Sequence, residues 1–394
     1  MKTFMRLTTI AAVALSTGAL AFGQNYVQTN LVSNTSGVAP ITDPQLVNAW
    51  GISRSDSSPW WVSDEKTGLS TLYVGAGTKQ GLIVTIPPAD PTNKQTPLGS
   101  PTGTIFNSSA TDFLLAANAP AAFLFSTHDG AIAAWNPAVK ATQAVIVATG
   151  AKGSAYTGLT SALVNGQRDL YAANFALGRV DVFSNAFQPV KLQEDGQNKY
   201  GFDSERFGRE NKPFTDDQIP FNFSPFNVQA IGNDIVVTYA LHNEGSATEI
   251  AGPGLGYVDL YSAEGKLLER FEHGDFLNTP WGVALAPLDF GRFSHDLLVG
   301  QFGGGGTTQF SGTIAAYDLA SGKFDGLLED ATGKPLAING LWSLSPANVS
   351  PGNADAAGQP ASEMYFTAGP SGGTQGLFGY LTAVPSELFQ GNAQ

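Results

Sequence analysis

The feature that most constrains the fold is a short pattern that recurs along the 394-residue chain. It consists of Gly, any residue, an apolar residue, any residue, an apolar residue and then an aromatic one. Copies begin at Gly68, Gly130, Gly178, Gly256 and Gly312, with a weaker copy at Gly376. Each copy alternates with a period of two, which is typical of a half-buried β-strand that follows a turn. The chain therefore repeats one strand unit six times.

A second apolar strand precedes each copy by a few residues, and turns rich in Gly, Asn and Asp join the two strands. These second strands are Trp60–Asp64, Phe123–Thr127, Leu170–Asn174, Ile235–Tyr239, Leu297–Gln301 and Met364–Ala368. Several units also contain an earlier strand, which begins at Asn48, Pro225, Pro280 or Gly340. Repeated antiparallel sheets of this kind predict an all-β fold, a six-bladed β-propeller, because radial packing hides the sheet edges. The alternatives are a seven-bladed propeller with one unrecognised blade, and a β-helix, which is disfavoured because its repeats are much shorter and more uniform.

The last blade needs an outer strand that the end of the chain does not supply, because little sequence follows the sixth copy. The segment Asn25–Val32 precedes the first blade and alternates in the same way as the repeated strands. We therefore predict that this N-terminal strand completes the sixth blade and joins the two ends of the chain.

The first 23 residues have the features of a secretory signal peptide. Lys2 and Arg6 form a basic region, and a weakly apolar run from Leu7 to Ala21 follows it. Small residues between Ala19 and Gly23 supply a cleavage site. The run is shorter than the roughly 20 residues that a membrane span requires, which disfavours a membrane anchor. We expect a signal peptide at 1–23, a single propeller domain at 24–394, and export to the periplasm or the extracellular space.

Charge and cysteine content narrow the classes of partner. The sequence has a formal net charge of −13 and no Cys, so disulfides and zinc–thiolate sites are excluded. The negative charge opposes binding to nucleic acid or to an anionic membrane surface. It is compatible with an unknown protein, glycan or small molecule as partner, and equally with solubility alone. The sequence requires no cofactor, and the compatible candidate is a divalent cation such as calcium.

An ordered set of segments resembles a known family. The segments are Thr42–Pro44, Asn48–Ile52, Trp60–Asp64, Thr67–Tyr73, Pro101–Gly103, Tyr171–Phe175, Pro225–Asn227, Pro280–Gly282, Leu297–Gly300 and Tyr365–Pro370. They are similar to a sequence-defined family of exported bacterial β-propeller-like proteins without an assigned activity, some of which carry a PEP-CTERM sorting tail. The resemblance implies export and a propeller, and it brings no catalytic residues. The chain departs from the family in a polar insertion around Gln193–Lys212, and it ends at Glu387–Gln394 without the sorting tail.

Loop lengths single out one face of the predicted propeller. Loops from the second to the third strand of a blade share that face with the connections between blades. The long segments Asn185–Ser224, Leu241–Leu255 and Phe302–Ser311 fall there, whereas the opposing turns appear short in the sequence. Ligand sites of rigid scaffolds are usually on such loops. We therefore expect a binding role for this face.

Four asparagines, Asn48, Asn227, Asn278 and Asn339, lie at or near the start of an innermost strand. They are candidates to converge at the channel mouth as neutral ligands of a hard cation or as hydrogen-bonding partners of a sugar. The competing interpretation is that each amide satisfies the backbone of its own turn.

Titratable residues give weaker candidates. Propeller folding would bring His128 and His242 to the same face, where they are candidate ligand-binding, acid/base or metal-binding residues. The four histidines, however, show no HxH or HExxH spacing that would indicate zinc. Asp64 and Asp129 precede glycine turns and are candidate metal ligands, with hairpin capping as the competing role. Trp50, Trp281 and Trp342 occupy equivalent strand positions and are interpreted as core between blades rather than as a platform for sugars.

The sequence favours a non-catalytic binding or interaction protein that uses its loop-rich face. The alternative is a metal-assisted hydrolase or lyase of the propeller lactonase or lyase type. Both interpretations depend on fold-level analogy, because propellers support many unrelated functions. The catalytic residues of such an enzyme are not identifiable from the sequence.

Overall fold

A computed structural model describes residues 25–95, 97–192, 212–306, 308–347 and 362–384. The expected signal peptide, most of the polar insertion and the end of the chain lie outside these residues. Within the described part, no helix is long and apolar enough to cross a membrane.

Six antiparallel sheets of four main strands each form the blades of a propeller, as the repeat predicts. Blade one consists of Ala49–Ser53, Trp60–Asp64, Leu69–Tyr73 and Lys79–Thr85, and blade two of Pro101–Phe106, Phe123–Thr127, Ala131–Trp135 and Val145–Thr149. Blade three consists of Tyr156–Val164, Gln167–Asn174, Arg179–Phe183 and Pro189–Val190, and blade four of Phe223–Ile231, Asp234–His242, Gly256–Tyr261 and Leu267–Arg270, with the short strand Glu249–Ile250 added to it. Blade five consists of Pro280–Leu285, Leu297–Gln301, Ile314–Tyr317 and Phe324–Leu327.

Blade six closes the ring with both ends of the chain. It contains Leu341–Pro346, Met364–Ala368 and Leu377–Ala383, and its outer strand is the N-terminal Tyr26–Ser33. Tyr26 pairs with Ala383 and Ser33 pairs with Leu377 in an antiparallel register. The predicted closure is therefore confirmed. The first strands of neighbouring blades contact one another in a closed ring around the propeller axis, and the sixth contacts the first.

Alternating side chains of each strand fill the spaces between neighbouring blades. In blade one, Trp60 packs on Tyr365 of blade six with ring centroids 4.5 Å apart, and the next residue, Trp61, packs on Phe123 of blade two at 4.1 Å. Burying a large apolar side chain contributes about 1.5–3 kcal/mol. Successive residues of the repeat thus face opposite sides of the blade, and each side packs against a neighbouring blade.

Steric constraints explain the glycine at the start of the repeat, as two of the copies show. Gly312 has a φ of +75°, and a Cβ at this position would lie 2.1 Å from the carbonyl oxygen of Ile338. Gly68 has a φ of +67°, and its Cβ would lie 2.5 Å from the Cβ of Leu98. A side chain at either turn would both strain the backbone and collide with the chain that leads into the following blade.

Two features of the propeller were not predicted. The first strands of blades two and three, Pro101–Phe106 and Tyr156–Val164, were not among the earlier strands identified from the sequence. The expectation of short turns on the face opposite the long loops is wrong in blade two. There, residues 107–122 form an extended connection with a small hairpin of Leu114–Ala116 and Ala119–Pro120.

Candidate functional site

Aromatic rings from several blades meet at the propeller axis beneath the loop-rich face. Trp342 of blade six lies between Trp50 of blade one and Phe302 of blade five, and each ring pair is stacked with centroids 3.7 Å apart. Trp281 of blade five meets Trp342 edge-on at 5.9 Å, and Phe226 of blade four lies 6.0 Å from it. These rings form one buried cluster with Phe175 and Ala240. We call this cluster the aromatic plug.

The plug changes the interpretation of the three tryptophans. Trp50, Trp281 and Trp342 are buried, as expected, with 4%, 4% and 2% of their surfaces exposed. Rings from blades one, five and six pack on one another here, so the three tryptophans lie in a core between blades, as predicted, and this core is at the propeller axis. Both faces of the Trp342 ring are already covered by other rings, so this side chain offers no platform to a sugar.

The indole N–H groups of the plug differ in their partners. Trp342 donates from Nε1 to Asn48 Oδ1 at 2.8 Å, and Trp281 donates to the carbonyl oxygen of Thr157 at 2.9 Å. Trp50 Nε1 is buried and has no hydrogen-bond partner among the described residues. A buried N–H without a partner costs roughly 1–3 kcal/mol, so the position of Trp50 is set by ring packing and not by hydrogen bonding.

Asn48 connects the plug to the charged surface of blade one. Its Nδ2 donates to Glu65 Oε2 at 3.0 Å, while its Oδ1 accepts the indole proton of Trp342. Glu65 in turn pairs with Lys66 at 2.9 Å. The backbone of Asn48 is in the left-handed region with a φ of 50°, which Asn tolerates better than most residues.

The other three asparagines hold separate segments of the same face. Asn227 donates to the carbonyl oxygen of Trp281 at 2.7 Å. Asn278 accepts from the Gly252 backbone at 2.8 Å and donates to Thr308 Oγ1 and to the Gln309 carbonyl oxygen. Asn339 is exposed and links the Gly306 carbonyl oxygen to the Ser371 backbone N–H. Each of these amides thus bonds to the backbone of a loop or strand, and their predicted role as ligands stays a prediction.

His128 and His242 both contact the blade-four loop 243–248. His128 Nε2 lies 3.0 Å from the carbonyl oxygen of Ala247, and its ring lies 5.9 Å from that of Trp50. His242 Nδ1 lies 2.9 Å from the carbonyl oxygen of Ser246. The predicted placement on one face therefore agrees with the structure: the two imidazoles bond to adjacent residues of a single loop.

Ser224 forms a close pair with His242. Because the Ser246 carbonyl oxygen can only accept, His242 Nδ1 donates to it, and in the neutral imidazole Nε2 then accepts the hydroxyl proton of Ser224, over 2.6 Å. Ser224 has no exposed surface, and the ring of Phe175 lies 4.7 Å from the imidazole. This is the hydrogen-bond order of a serine nucleophile and its base, in a setting closed to substrate.

Glu249 is an acidic residue of this region that sequence reasoning missed. It pairs across the sheet with His242 in the strand that follows the loop. Burial raises its pKa, while its own backbone N–H and the nearby His128 oppose that shift. The only sequence signal was its position within the long segment Leu241–Leu255, and this position does not show which way the side chain points.

Loops from blades four, five and six interlock above the plug. The amide of Asn278 joins the blade-four segment at Gly252 to the blade-five loop 302–311. The glycines of that loop then abut the blade-six turn: a Cβ on Gly305 would lie 3.1 Å from the Gly369 carbonyl oxygen and from Gly372. The segment Gly303–Gly306 is therefore packed between two neighbouring loops.

The two candidate metal-binding aspartates lie in different environments. Asp64 is fully buried, and its Oδ2 accepts from the backbone N–H and the hydroxyl of Thr71, at 3.1 and 2.7 Å. Burial raises its pKa well above the usual range. Asp129 Oδ2 accepts from the backbone N–H of Ala89 at 2.7 Å. Across the described residues no group of three or more His, Asp or Glu side chains is arranged to hold a metal ion.

The fold and its loop-rich face define a six-bladed β-propeller with an aromatic-filled axis. No family model matches the chain. It is 28% identical over 362 residues to an uncharacterized protein of Acanthamoeba polyphaga mimivirus, covering 89% of this chain and 84% of that one. A second uncharacterized protein of the same virus is 27% identical over 356 residues, covering 89% and 78%. These relatives carry no stated function, and nothing in them supports the predicted bacterial family or its sorting tail.

Solved structures resemble the chain at the level of the fold alone. A protein of unknown function from Bacteroides thetaiotaomicron has a TM-score of 0.50 at 10% identity and covers 91% of this chain and 76% of its own. Virginiamycin B lyase from Staphylococcus aureus has a TM-score of 0.45 at 12% identity, covering 91% and 99%.

Proposed function

We propose that this protein is an exported, non-catalytic binding protein that presents its loop-rich face to a protein, a glycan or a small molecule. The observation that carries the proposal is the interlocking of the loops above the aromatic plug. The buried amide of Asn278 joins the blade-four segment at Gly252 to the blade-five loop 302–311. Contacts of Asn339 and Gly305 join that loop to blade six. Loops fixed in this way lose little conformational freedom on binding, which favours affinity.

The surface that these loops expose is polar. Asn243, Glu244, Thr308, Gln309 and Thr374 are all exposed on this face. Amide, hydroxyl and carboxylate groups suit a neutral, hydroxyl-rich partner, and the net negative charge of the chain disfavours an anionic one. We therefore rank a neutral glycan first among the partners. Export and residence in the periplasm or outside the cell rest on the features of residues 1–23.

The proposal is tested with an array of neutral glycans and two pairs of matched variants. Glu244→Lys and Gln309→Arg change the charge of the loop-rich face. Asp56→Lys and Gln167→Arg make the same changes at exposed positions on the opposite face. We expect the wild type and the opposite-face variants to bind the same glycans, and the loop-face variants to lose this binding. Equal binding by all five proteins, or no glycan bound by the wild type, would contradict the proposed partner.

A metal-assisted hydrolase or lyase is the second candidate, and the position of Glu249 favours it. This carboxyl group lies near His128, and burial raises its pKa, as is common for groups at catalytic sites. Melting curves with EDTA, and then with added calcium, magnesium or zinc, test this candidate. A melting temperature that falls on chelation and is restored by one metal would support an ion in the native state, and unchanged curves would count against it.

A further inference from the structure

The outer strand of blade two is unusual among the six outer strands. Outer strands expose unpaired backbone groups, and proteins commonly guard them with charge, proline, shortness or a cover. Val145–Thr149 has the sequence Val-Ile-Val-Ala-Thr, without a charge or a proline, and it is the last strand of its sheet. A bulge opposite Ile132 and Ala133 is the one guarding feature in its pairing.

Every other outer strand has a guard of its own. Blade one begins its outer strand with Lys79, blade four ends its strand with Glu269 and Arg270, and blade five places Asp325 in the centre. The outer strand of blade three has only two residues, and that of blade six is paired at its ends, where Val32 and Ser33 pair with the parallel strand Ile41–Thr42 and Asn25 bridges to Glu329. Blade two is therefore the exception in this propeller.

An apolar groove of about 420 Å³ runs beside this edge. One wall consists of Pro87, Pro88 and Pro91, and the other is the chain from Gln143 to Ile146, with Lys140 at the side. Asp129 holds the proline wall by accepting from the Ala89 backbone N–H. One wall of the groove is therefore a strand-side segment of blade two, and the other is tied to the same blade by this hydrogen bond.

Blade one already pairs its backbone with the start of the same edge. Thr85 donates to the carbonyl oxygen of Thr142 and accepts from the N–H of Ala144, both at 2.9 Å, in a parallel bridge with Gln143. The pairing ends at Pro87, because two prolines in succession have no N–H to donate. The chain then leaves the edge and forms the far wall of the groove. The contact shows that the chain leading into this edge already pairs with an extended neighbouring segment.

We propose that the edge Val145–Thr149 and its groove form a strand-addition site for an extended, uncharged peptide. The peptide backbone pairs with the edge, and its apolar side chains enter the groove. A second copy of this chain fits less well, since joining two such edges would set each proline wall against the other copy. The site lies on the outer rim of the propeller and is independent of the loop-rich face.

The test measures the binding of a fluorescein-labelled peptide, acetyl-Thr-Val-Thr-Ile-Thr-Val-Thr-amide, by fluorescence anisotropy. We expect saturable binding to the wild type. A control peptide of the same sequence is N-methylated at alternate residues, on the backbone edge that would face the protein. It should bind at least about tenfold more weakly, since it retains its side chains but lacks the donors. Equal binding of the two peptides, or no binding to the wild type, would overturn the proposal.

Two protein variants locate the site. Ile146→Lys places a charge in the groove, and Leu268→Lys makes the same kind of change in the outer strand of blade four, where the side chain is 45% exposed. Ile146→Lys should abolish peptide binding, and Leu268→Lys should leave it intact, with the melting temperature of each variant showing that it is folded. Sedimentation of the free protein tests whether a second copy of this chain occupies the edge instead. A wild-type dimer that Ile146→Lys converts to a monomer would assign the edge to a second copy and overturn the peptide proposal.

Discussion

Ser224 Oγ and His242 Nε2 are 2.6 Å apart, and the same imidazole bonds from its other nitrogen to the Ser246 carbonyl oxygen. This series of hydrogen bonds joins the first strand of blade four to the loop 243–248, and His128 of blade two contacts the same loop. A serine and a histidine in this order are a familiar catalytic pair. Here both are buried, with 0% and 6% of their surfaces exposed, so the pair fixes the loop.

The first prediction concerns this pair. Ser224→Ala should lower the free energy of unfolding by about 1–3 kcal/mol, because it leaves a buried imidazole nitrogen without its partner. Ser246→Ala is the matched control, since the exposed Ser246 hydroxyl bonds only to neighbouring backbone and the carbonyl oxygen that holds His242 remains. The control should change stability by less than about 0.5 kcal/mol. Denaturant unfolding of the three proteins measures both effects. Equal losses of unfolding free energy in the two variants would show that the Ser224–His242 hydrogen bond does not stabilise the fold.

The second prediction concerns the buried carboxyl group of Asp259, which accepts from the hydroxyl of Tyr261 at 3.0 Å. Burial, together with repulsion from Asp216, raises its pKa to about 7. The unfolded chain releases this proton near pH 4, so between pH 4 and pH 7 the folded protein holds more protons than the unfolded one. The contribution of Asp259 to stability is therefore fully present below pH 4 and is lost as the pH rises through 7, by an amount on the order of 4 kcal/mol.

Asp259→Asn removes this titration while keeping an oxygen that accepts from Tyr261. Relative to the wild type, the variant should gain stability as the pH rises from 4 to 8. The control is Asp181→Asn at the equivalent position of blade three, where Arg179 contacts the carboxylate at 2.6 Å. Urea unfolding at several pH values gives the difference curves. A constant difference between Asp259→Asn and the wild type across this range would rule out the shifted pKa.

The third prediction concerns the strand that closes the ring. Val32 is fully buried in the outer strand of blade six, and Val27 in the same strand is 43% exposed. Val32→Ala should cost about 2 kcal/mol of folding free energy, since it removes buried methyl groups from the space between blades six and one. Val27→Ala makes the same change at the surface and should cost less than about 0.5 kcal/mol. Thermal unfolding of both variants checks the difference, and similar melting temperatures would show that the closing strand is weakly packed.

The propeller could be predicted from the sequence, whereas the arrangement of its face could not. The alternation in Leu69–Tyr73 and its repeats indicates burial on both sides of a blade, and the glycine before each copy indicates a turn. The number of blades and the closure of the ring can therefore be predicted from local sequence. The stacking of Trp50, Trp342 and Phe302 depends on side chains from three blades far apart in sequence. Local periodicity does not show which distant side chains meet, so the sequence predicted a core between blades for the tryptophans but not its position at the axis.

The fourth prediction separates the structural role of the asparagines from their predicted role as ligands. Asn48 is 4% exposed and bonds to both Trp342 and Glu65, while Asn339 is exposed and bonds to two loop backbones. Asn48→Ala should cost about 2–3 kcal/mol, because it leaves the buried indole N–H unpaired and puts alanine in the left-handed region, whereas Asn339→Ala should cost less than about 1 kcal/mol. If Asn48 instead serves a ligand, the apo variant will unfold like the wild type and only the ligand-bound melting temperatures will differ. Thermal unfolding of both variants, with and without any glycan found on the array, distinguishes the two roles.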